Sequence, residues 1–254
     1  MAKKISVNII GSGNVATHFI KEFLRHPEIR LNQLYARDLP QLKDFEGTSV
    51  LINDLQLLTP ADITILAVTD DAIGQVSEKL KNYRSLVVHT SGSKPMEELT
   101  NRRRGVFYPF QSFSKEKKHI DFKNLPILIE AETPEDLKQL SFLGSILSNK
   151  VYEMNSSQRK ALHIAGVFAA NFTNHMYVLA RQIMEENNIP FELIIPLIQE
   201  VAEKVGTLPP IEAQTGPAVR GDRKTIEEHL HALDKSKKKI YELLTKSIME
   251  NKKS

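Results

Sequence analysis

Cysteine is absent from this chain of 254 residues. Disulfides, thiolate nucleophiles and thiolate metal sites are thereby excluded. Long apolar runs are missing too: none approaches the roughly 20 residues a membrane-spanning helix needs. The opening Met1-Ala2-Lys3-Lys4 runs straight into an apolar strand pattern, which leaves no room for a signal peptide. The expectation is a cytoplasmic protein with no membrane partner. A strong charge of either sign is also lacking. The formal balance is +3, too slight to argue for nucleic acid. Its surplus lies partly in Lys235 to Lys239 and Lys252-Lys253, read as a solvated helix face and a frayed end. Strand patterns are missing from Ser156 onward, which divides the chain into residues 1–154 and 155–254.

What is present begins with Ile5, Val7, Ile9 and Ile10, a buried-strand pattern. It leads into Gly11-Ser12-Gly13-Asn14-Val15-Ala16 and then a helical pattern through Phe19, Ile20, Phe23 and Leu24. A second strand, Leu31 to Ala36, ends at Arg37-Asp38. Strand, glycine turn, helix and strand make the βαβ unit of a dinucleotide-binding fold. Gly11 allows the sharp turn, Gly13 lets a pyrophosphate approach the backbone, and Ala16 keeps the helix close to the sheet. The helix start, with Ser12, Asn14 and Val15 around it, offers free N–H groups and the positive end of its dipole to an anion. At the end of the second strand an arginine can grip a 2′-phosphate, whereas an acidic residue favours a free ribose hydroxyl. Arg37 favours NADP(H). Asp38 would take the ribose role if the strand ended one residue later.

Further along, Val50 to Ile52 and Ala61 to Val68 read as strands, and Thr69-Asp70-Asp71 starts a helix. Val68 and Thr69 are candidates for the nicotinamide-ribose side, unless Thr69 or Asp70 serves only as a helix cap. Ser85 to His89 is the next strand, followed by Thr90-Ser91-Gly92-Ser93 at the same carboxyl edge. His89 can act as a general acid, and Ser91 or Ser93 can donate a hydrogen bond. The alternative is a strand-end histidine and a capping serine. A short helix is expected with Pro95 in its first turn, Arg102 to Arg104 in its last turn and Gly105 as its stop. Gly105 to Tyr108 forms a strand cut by Pro109, and its aromatics suit the wall of a cleft. A charged loop, Lys115 to Lys118, precedes the strand Leu125 to Ile129. A helix capped by Thr133 with Pro134 in first position then runs to about Leu147, and Lys150 to Met154 closes the sheet. Up to residue 154 the pattern is α/β, a doubly wound Rossmann-type sheet, followed by an all-α domain.

In the second half, Ser157 to Glu186 is one long helical pattern in which small residues recur. At roughly 100° per residue, His163, Asn171 and Asn174 share one polar stripe. Such a stripe either links to neighbouring helices or lines a site. Leu193 to Val205 is apolar on more than one face, which suggests burial between layers or at a subunit interface. Pro196 begins or kinks that helix. The connector after Gly206 carries Arg220 between glycines, able to bind a carboxylate or phosphate or to pair with Asp222. Asp222 or Thr225 caps the final helix.

The motifs G-S-G-N-V-A, A-V-T-D-D-A-I, H-T-S-G-S, Y-P-F-Q-S-F-S, L-H-I-A-G-V-F-A-A-N-F-T-N-H and T-G-P-A-V-R-G-D run through essentially the whole chain. In that order they resemble a family of bacterial NADP oxidoreductases with an N-terminal Rossmann domain and a helical C-terminal domain, often labelled deazaflavin-coenzyme-dependent. More distantly, the layout is similar to pyrroline-5-carboxylate reductase, ketopantoate reductase and the 6-phosphogluconate and β-hydroxyacid dehydrogenases. The resemblance implies a site between the domains and a homodimer built largely from the helical half. The two dehydrogenase groups carry a catalytic lysine on the long interdomain helix. Here Lys160 lies near the start of that helix, and the turns expected over the site carry His163 and Asn171, so their chemistry does not transfer.

The leading expectation is an NADPH-dependent reductase of a small carbonyl or imine. His163 or His89 would donate the proton, Asn171 and Asn174 would hold the substrate, and Arg220 would bind an acidic group. A non-catalytic NADP(H)-binding or sensing protein is the alternative. An adenosylmethionine-dependent methyltransferase shares the glycine turn but not the Arg37 feature or the helical tail.

Overall fold

The computed structural model of the chain describes residues 4–114 and 120–251. The Lys115 to Lys118 loop, the first three residues and Lys252-Lys253 lie outside the described residues. The described strands are β1 Ile5–Ile10, β2 Ile29–Tyr35, β3 Val50–Ile52, β4 Ile63–Leu66, β5 Leu86–His89, β6 Arg104–Pro109, β7 Ile127–Ala131 and β8 Val151–Glu153. They form one sheet in the order β3-β2-β1-β4-β5-β6-β7-β8. Every neighbouring pair is parallel except β6 and β7. The order 3-2-1-4-5-6 is that of the doubly wound dinucleotide-binding fold, with its reversal between β1 and β4. Helices α1 Asn14–Phe23, α2 Ile73–Lys79 and α3 Pro134–Leu147 connect these strands.

Successive side chains of a strand point to opposite faces. Ile9, Ile65 and Val88 enter a large cluster with Phe19, Phe107 and Leu140, whereas their neighbours Ile10, Leu66 and Val87 join a smaller one with Ile73 and Leu99. Both faces of the central strands are therefore covered, which is why these segments read as unbroken apolar runs. Asn8 is, with Ser6, one of two buried polar residues in β1. Its amide donates to the Thr59 carbonyl and Tyr83 Oη, and its Oδ1 accepts from the backbone N–H of Gln33. The pairing of β1 with β2 slips at Val7/Asn8, where that side chain takes a backbone partner.

The helix expected with Pro95 in its first turn does not form. A single 3-10 turn, Met96–Glu98, is followed by extended backbone at buried Leu99, and Arg104 already belongs to β6. Packing of Leu99 and pairing of the arginines outweigh the helical pattern. Arg103 Nε donates to Asp136 Oδ1 at 2.9 Å and Arg104 Nε to Glu132 Oε2 at 2.7 Å. In α3, by contrast, the Thr133 cap, the Pro134 start and the Leu147 end all fall where the sequence places them.

After β8 the chain enters α4 Ser156–Gly166, passes through a π-helical turn, Val167–Phe172, and continues as α5 Thr173–Glu186. Two compact units result, Met1–Ala170 and Asn171–Ser254. The first runs past residue 154 because α4 is bound to β7. The Ser156 N–H and hydroxyl and the Arg159 guanidinium all donate to the Glu130 carboxylate.

In the second unit follow a 3-10 turn Phe191–Ile194, α6 Ile195–Thr207, α7 Pro210–Ala213, α8 Pro217–Arg220, α9 Arg223–Ala232 and α10 Lys235–Asn251. Pro196 starts α6 and does not kink it. Burial of α6 between layers of the single chain is not seen: none of its residues is buried, and Leu197, Val201 and Val205 are all more than half exposed. Asp222, and not Thr225, caps α9, accepting from the Thr225 N–H at 3.2 Å and its hydroxyl at 2.7 Å. That helix is not the last, since α10 follows. No helix among the described residues is long and apolar enough to cross a membrane.

Candidate active site at the carboxyl edge of the sheet

The ends of β1, β4, β5 and β6 bring four short segments to one edge of the parallel sheet. At the first, Gly11 has φ +130, and a Cβ there would stand 2.1 Å from the Ala67 carbonyl oxygen just beyond β4. Nothing but glycine fits. Gly13 is different: a Cβ would meet nothing within 4 Å. It precedes α1, whose first turn has no side-chain cap. Bare backbone, open space and uncapped N–H groups at a helix start make a cradle for a diphosphate. The surrounding side chains are directed elsewhere. Ser12 Oγ donates to Gln41 Oε1, and Asn14 Nδ2 donates to the Phe113 carbonyl at 3.0 Å. Val15 packs against the large core cluster. A cavity of about 170 Å³ beside the turn is lined by Ser12, Asn14, Thr17, His18, Lys21 and Gln41. Arg37 lies two residues beyond β2, exposed and without an ion-pair partner among the described residues. Asp38, also exposed, accepts weakly from Gln41 Nε2 at 3.4 Å.

Beyond β4, half-buried Val68 packs on the smaller core cluster, and Thr69 is exposed. Thr69 makes no side-chain capping hydrogen bond to the 3-10 turn Asp70–Ala72. Asp70 instead accepts from Ser93 Oγ at 2.5 Å, joining this turn to the one after β5.

That second turn is held from several sides. The Ser91 N–H donates to His89 Nδ1 at 3.1 Å, so Nδ1 carries no proton, and Nε2–H donates to the Pro95 carbonyl at 3.2 Å. Burial, helped by the nearby Arg159 cation, pushes the His89 pKa down to about 4. A neutral imidazole with both nitrogens engaged orders the loop, and its one N–H is taken by the Pro95 carbonyl. Ser91 Oγ accepts from the N–H groups of Ser93 and Lys94 at 3.1 and 3.0 Å, so its lone pairs serve the turn as well. Arg159, 1% exposed, donates to the Lys94 carbonyl at 2.6 Å and to Glu130 Oε2. Its Nε has no partner among the described residues. Removing one member of such a buried pair typically costs about 3–5 kcal/mol.

Above this platform stands His163. Tyr108 Oη and His163 Nδ1 are 3.1 Å apart, and both side chains are half-buried. Burial raises the Tyr108 pKa, which keeps it a phenol. A Cβ on Gly92 would lie 2.6 Å from His163 Nδ1 and 2.8 Å from Tyr108 Oη, so Gly92 is required for space. Phe110, two residues after Tyr108 on the same face of the extended chain, reaches α4 at Gly166, where a Cβ would lie 2.9 Å from its ring. Tyr108 in β6 and Phe110 just beyond its end thus meet a helix face at positions three apart. Among the described residues His163 Nε2 has no hydrogen-bond partner.

Of the sequence candidates, the structure gathers His89, Ser91 and His163 around one turn. Asn171, Asn174 and Arg220 are exposed residues of the second unit. Arg220 makes no ion pair with Asp222, whose carboxyl is held below its usual range mainly by Thr225. The π-helical turn interrupts the 3.6-residue period, so the stripe drawn from His163 through Asn174 does not continue in phase. Tyr108, Gly92 and Arg159 were missed. The signals were the i, i+2 spacing of Tyr108 and Phe110 and the i, i+4 spacing of Arg159 and His163.

A glycine cradle at the switch point of a doubly wound sheet, followed by a helical unit, defines the architecture of NAD(P)-dependent oxidoreductases. The chain belongs to the bacterial NADP oxidoreductase family. The crystal structure of a Bacteroides fragilis protein described as a “putative NADP oxidoreductase” is 40% identical, covers 97% of this chain and 98% of its own, and superposes with a TM-score of 0.88. Residues 125–248 match a family model described as Domain of unknown function (DUF2520). The same fold recurs in an imine reductase from Myxococcus stipitatus solved with NADP+ (15% identity, 96% of this chain and 92% of that one, TM-score 0.65). It recurs again in a reductive aminase from Aspergillus terreus solved with NADPH and ethyl-5-oxohexanoate (12% identity, 96% and 95%, TM-score 0.66). No curated protein matches the chain.

Proposed function

We propose that this chain is an NADPH-dependent oxidoreductase that reduces a small carbonyl or imine. The observation that carries the reading is the uncapped α1 start beside Gly13, whose missing Cβ leaves open space for a diphosphate. The family relative described as an NADP oxidoreductase supports it, as do the dinucleotides held by the imine reductase and the reductive aminase. Arg37, exposed and without an ion pair among the described residues, grips the 2′-phosphate. Val68, Thr69 and the 90–93 turn line the nicotinamide side.

When bound, the cofactor supplies the hydride. This chain's residues orient the acceptor and move the proton. His163, with Nε2 unengaged among the described residues, is the proton donor, and His89 fixes the turn on which the donor rests. Asn171 and Asn174 supply substrate hydrogen bonds, and Arg220 supplies the handle for an acidic group. Residues 155–254 serve substrate binding and dimerisation. The exposed apolar positions of α6 are the face we assign to a second copy, and the dimer works in the cytoplasm.

A thermal-shift comparison of NADPH, NADH and adenosylmethionine tests the assignment. At one hundred times its dissociation constant NADPH is expected to stabilise the chain by about 2.7 kcal/mol. In Arg37→Ala that gain is expected to fall to the NADH level. Equal shifts with both dinucleotides would remove Arg37 from the reading, and no shift with either would end it. NADPH binding without cofactor oxidation across carbonyl and imine panels would support the sensor alternative.

A further inference from the structure

The geometry points to Tyr108 as the positioning residue that clamps the Nδ1 side of His163, so that proton exchange with the substrate runs through Nε2. The inference rests on the reading of His163 as proton donor. Oη lies 3.1 Å from Nδ1, and the two rings meet edge-on at 62°. Gly92 presses against the same hydrogen bond, and Phe110 stands edge-on to Tyr108 while filling the space at Gly166. The phenol and the imidazole therefore have little room to part.

Hydroxyl chemistry explains why tyrosine suits this position. A phenol both donates and accepts, whereas a carboxylate only accepts. It accepts from Nδ1–H in the imidazolium and in the neutral ring left when Nε2 gives up its proton, and it donates to Nδ1 once the resting ring carries its proton on Nε2, so the clamp survives proton transfer. In the reductive direction, hydride from the reduced dinucleotide forms a new C–H bond, and the π-electron pair of C=O or C=N passes to oxygen or nitrogen. That atom then takes the proton from Nε2–H, whose bonding pair stays on the imidazole. The neutral ring is recharged from water. Tyr108 supplies no proton; it keeps the ring from turning Nε2 away.

Nitrogen NMR of the histidine-labelled full chain tests the clamp without any substrate. The measurement is made near pH 8.5, above the ordinary histidine range of about 6.5. His163 is expected as a single Nε2–H tautomer with Nδ1 shifted by its hydrogen bond, assigned by the loss of its signals in His163→Gln. In Tyr108→Phe the Nδ1 shift is expected to vanish and a tautomer mixture to appear; in Gly92→Ala the same change should follow from displacement of the rings. Unchanged His163 signals in both variants would overturn the inference. With a 1-pyrroline as the imine probe, Tyr108→Phe is expected to lower kcat on the order of tenfold or more, with KM and NADPH affinity within about twofold. Altered tautomers with unchanged turnover in both Tyr108→Phe and His163→Gln would support the clamp and remove His163 as the proton donor. The two readings therefore fail separately.

Discussion

The two compact units of this chain use apolar residues in opposite ways. In Met1–Ala170, Val7, Ile9, Phe19, Ile65 and Phe107 have no exposed surface at all. In Asn171–Ser254, Ala218 and Ile226 alone among the described residues are buried, while Leu193, Leu197, Val201 and Ile211 are each more than half exposed. A parallel sheet covered on both faces stores its apolar side chains internally. Amphipathic helices with outward apolar faces need another surface to complete them. The first unit thus carries its own stability, and the second has an apolar face that we assign to a second copy of the chain. The site groups divide in the same manner. His89, Ser91, Tyr108 and His163 stand in defined hydrogen bonds, whereas Asn171, Asn174 and Arg220 are exposed.

The largest expected effect tests the core of the first unit. Phe19 packs its ring against Phe23, Phe107 and Phe122, with centroids 5.4, 5.7 and 5.8 Å away. Phe19→Ala is expected to destabilise the chain by about 3–5 kcal/mol, seen as a lower midpoint in denaturant. Leu197→Ala at high dilution should stay within about 0.5 kcal/mol, as exposed substitutions do. Comparable losses from both variants at high dilution would erase the contrast between the units.

An intermediate effect concerns the buried histidine. The His89 pKa is about 4 in the folded chain against 6.5 for an ordinary histidine, so the unfolded chain binds more protons between those values. His89 therefore contributes its full stabilisation above pH 6.5, loses it as pH falls towards 4, and contributes none below. A shift of this size corresponds to about 3 kcal/mol. Denaturant titrations from pH 7 to pH 4 should show that loss, and His89→Gln should lack this component of the slope. An identical pH dependence in the variant would show that His89 is not the group responsible.

How legible each unit was in the sequence follows from the same contrast. β3 was read at Val50 to Ile52, and α3 from Thr133 to Leu147, because buried runs and caps are local signals. The helix expected before Gly105 failed because the contacts of Leu99, Arg103 and Arg104 come from residues distant in the sequence. Gly11 was legible, since its positive φ and the close approach of Ala67 select the residue type. Tyr108 was not, since its role depends on a helix residue 55 positions later. Periodicity placed His163, Asn171 and Asn174 on one stripe, but a π-helical turn leaves no mark in hydrophobic spacing. The apolar pattern of α6 was read as burial between layers or at a subunit interface; the single chain leaves these residues unburied, and a pattern names no occupant.

The smallest expected effect on the chain's own stability falls on that face and tests the occupant directly. Leu193 is 69% and Leu197 60% exposed, so changing either to serine removes little that the single chain buries. At high dilution the denaturation midpoint should barely move. Association should respond far more strongly. A closed dimer presents the same patch from both copies, so each substitution acts twice at the interface. Burying one leucine side chain contributes about 1.5–3 kcal/mol. Even part of that lost from each copy weakens association roughly tenfold or more, since about 1.4 kcal/mol is one decade. Sedimentation across a concentration series reads this as a shift of the monomer–dimer midpoint. A midpoint unmoved in Leu193→Ser and Leu197→Ser would leave these leucines as plain surface and take the second copy off this face, while the core of the first unit stood as described.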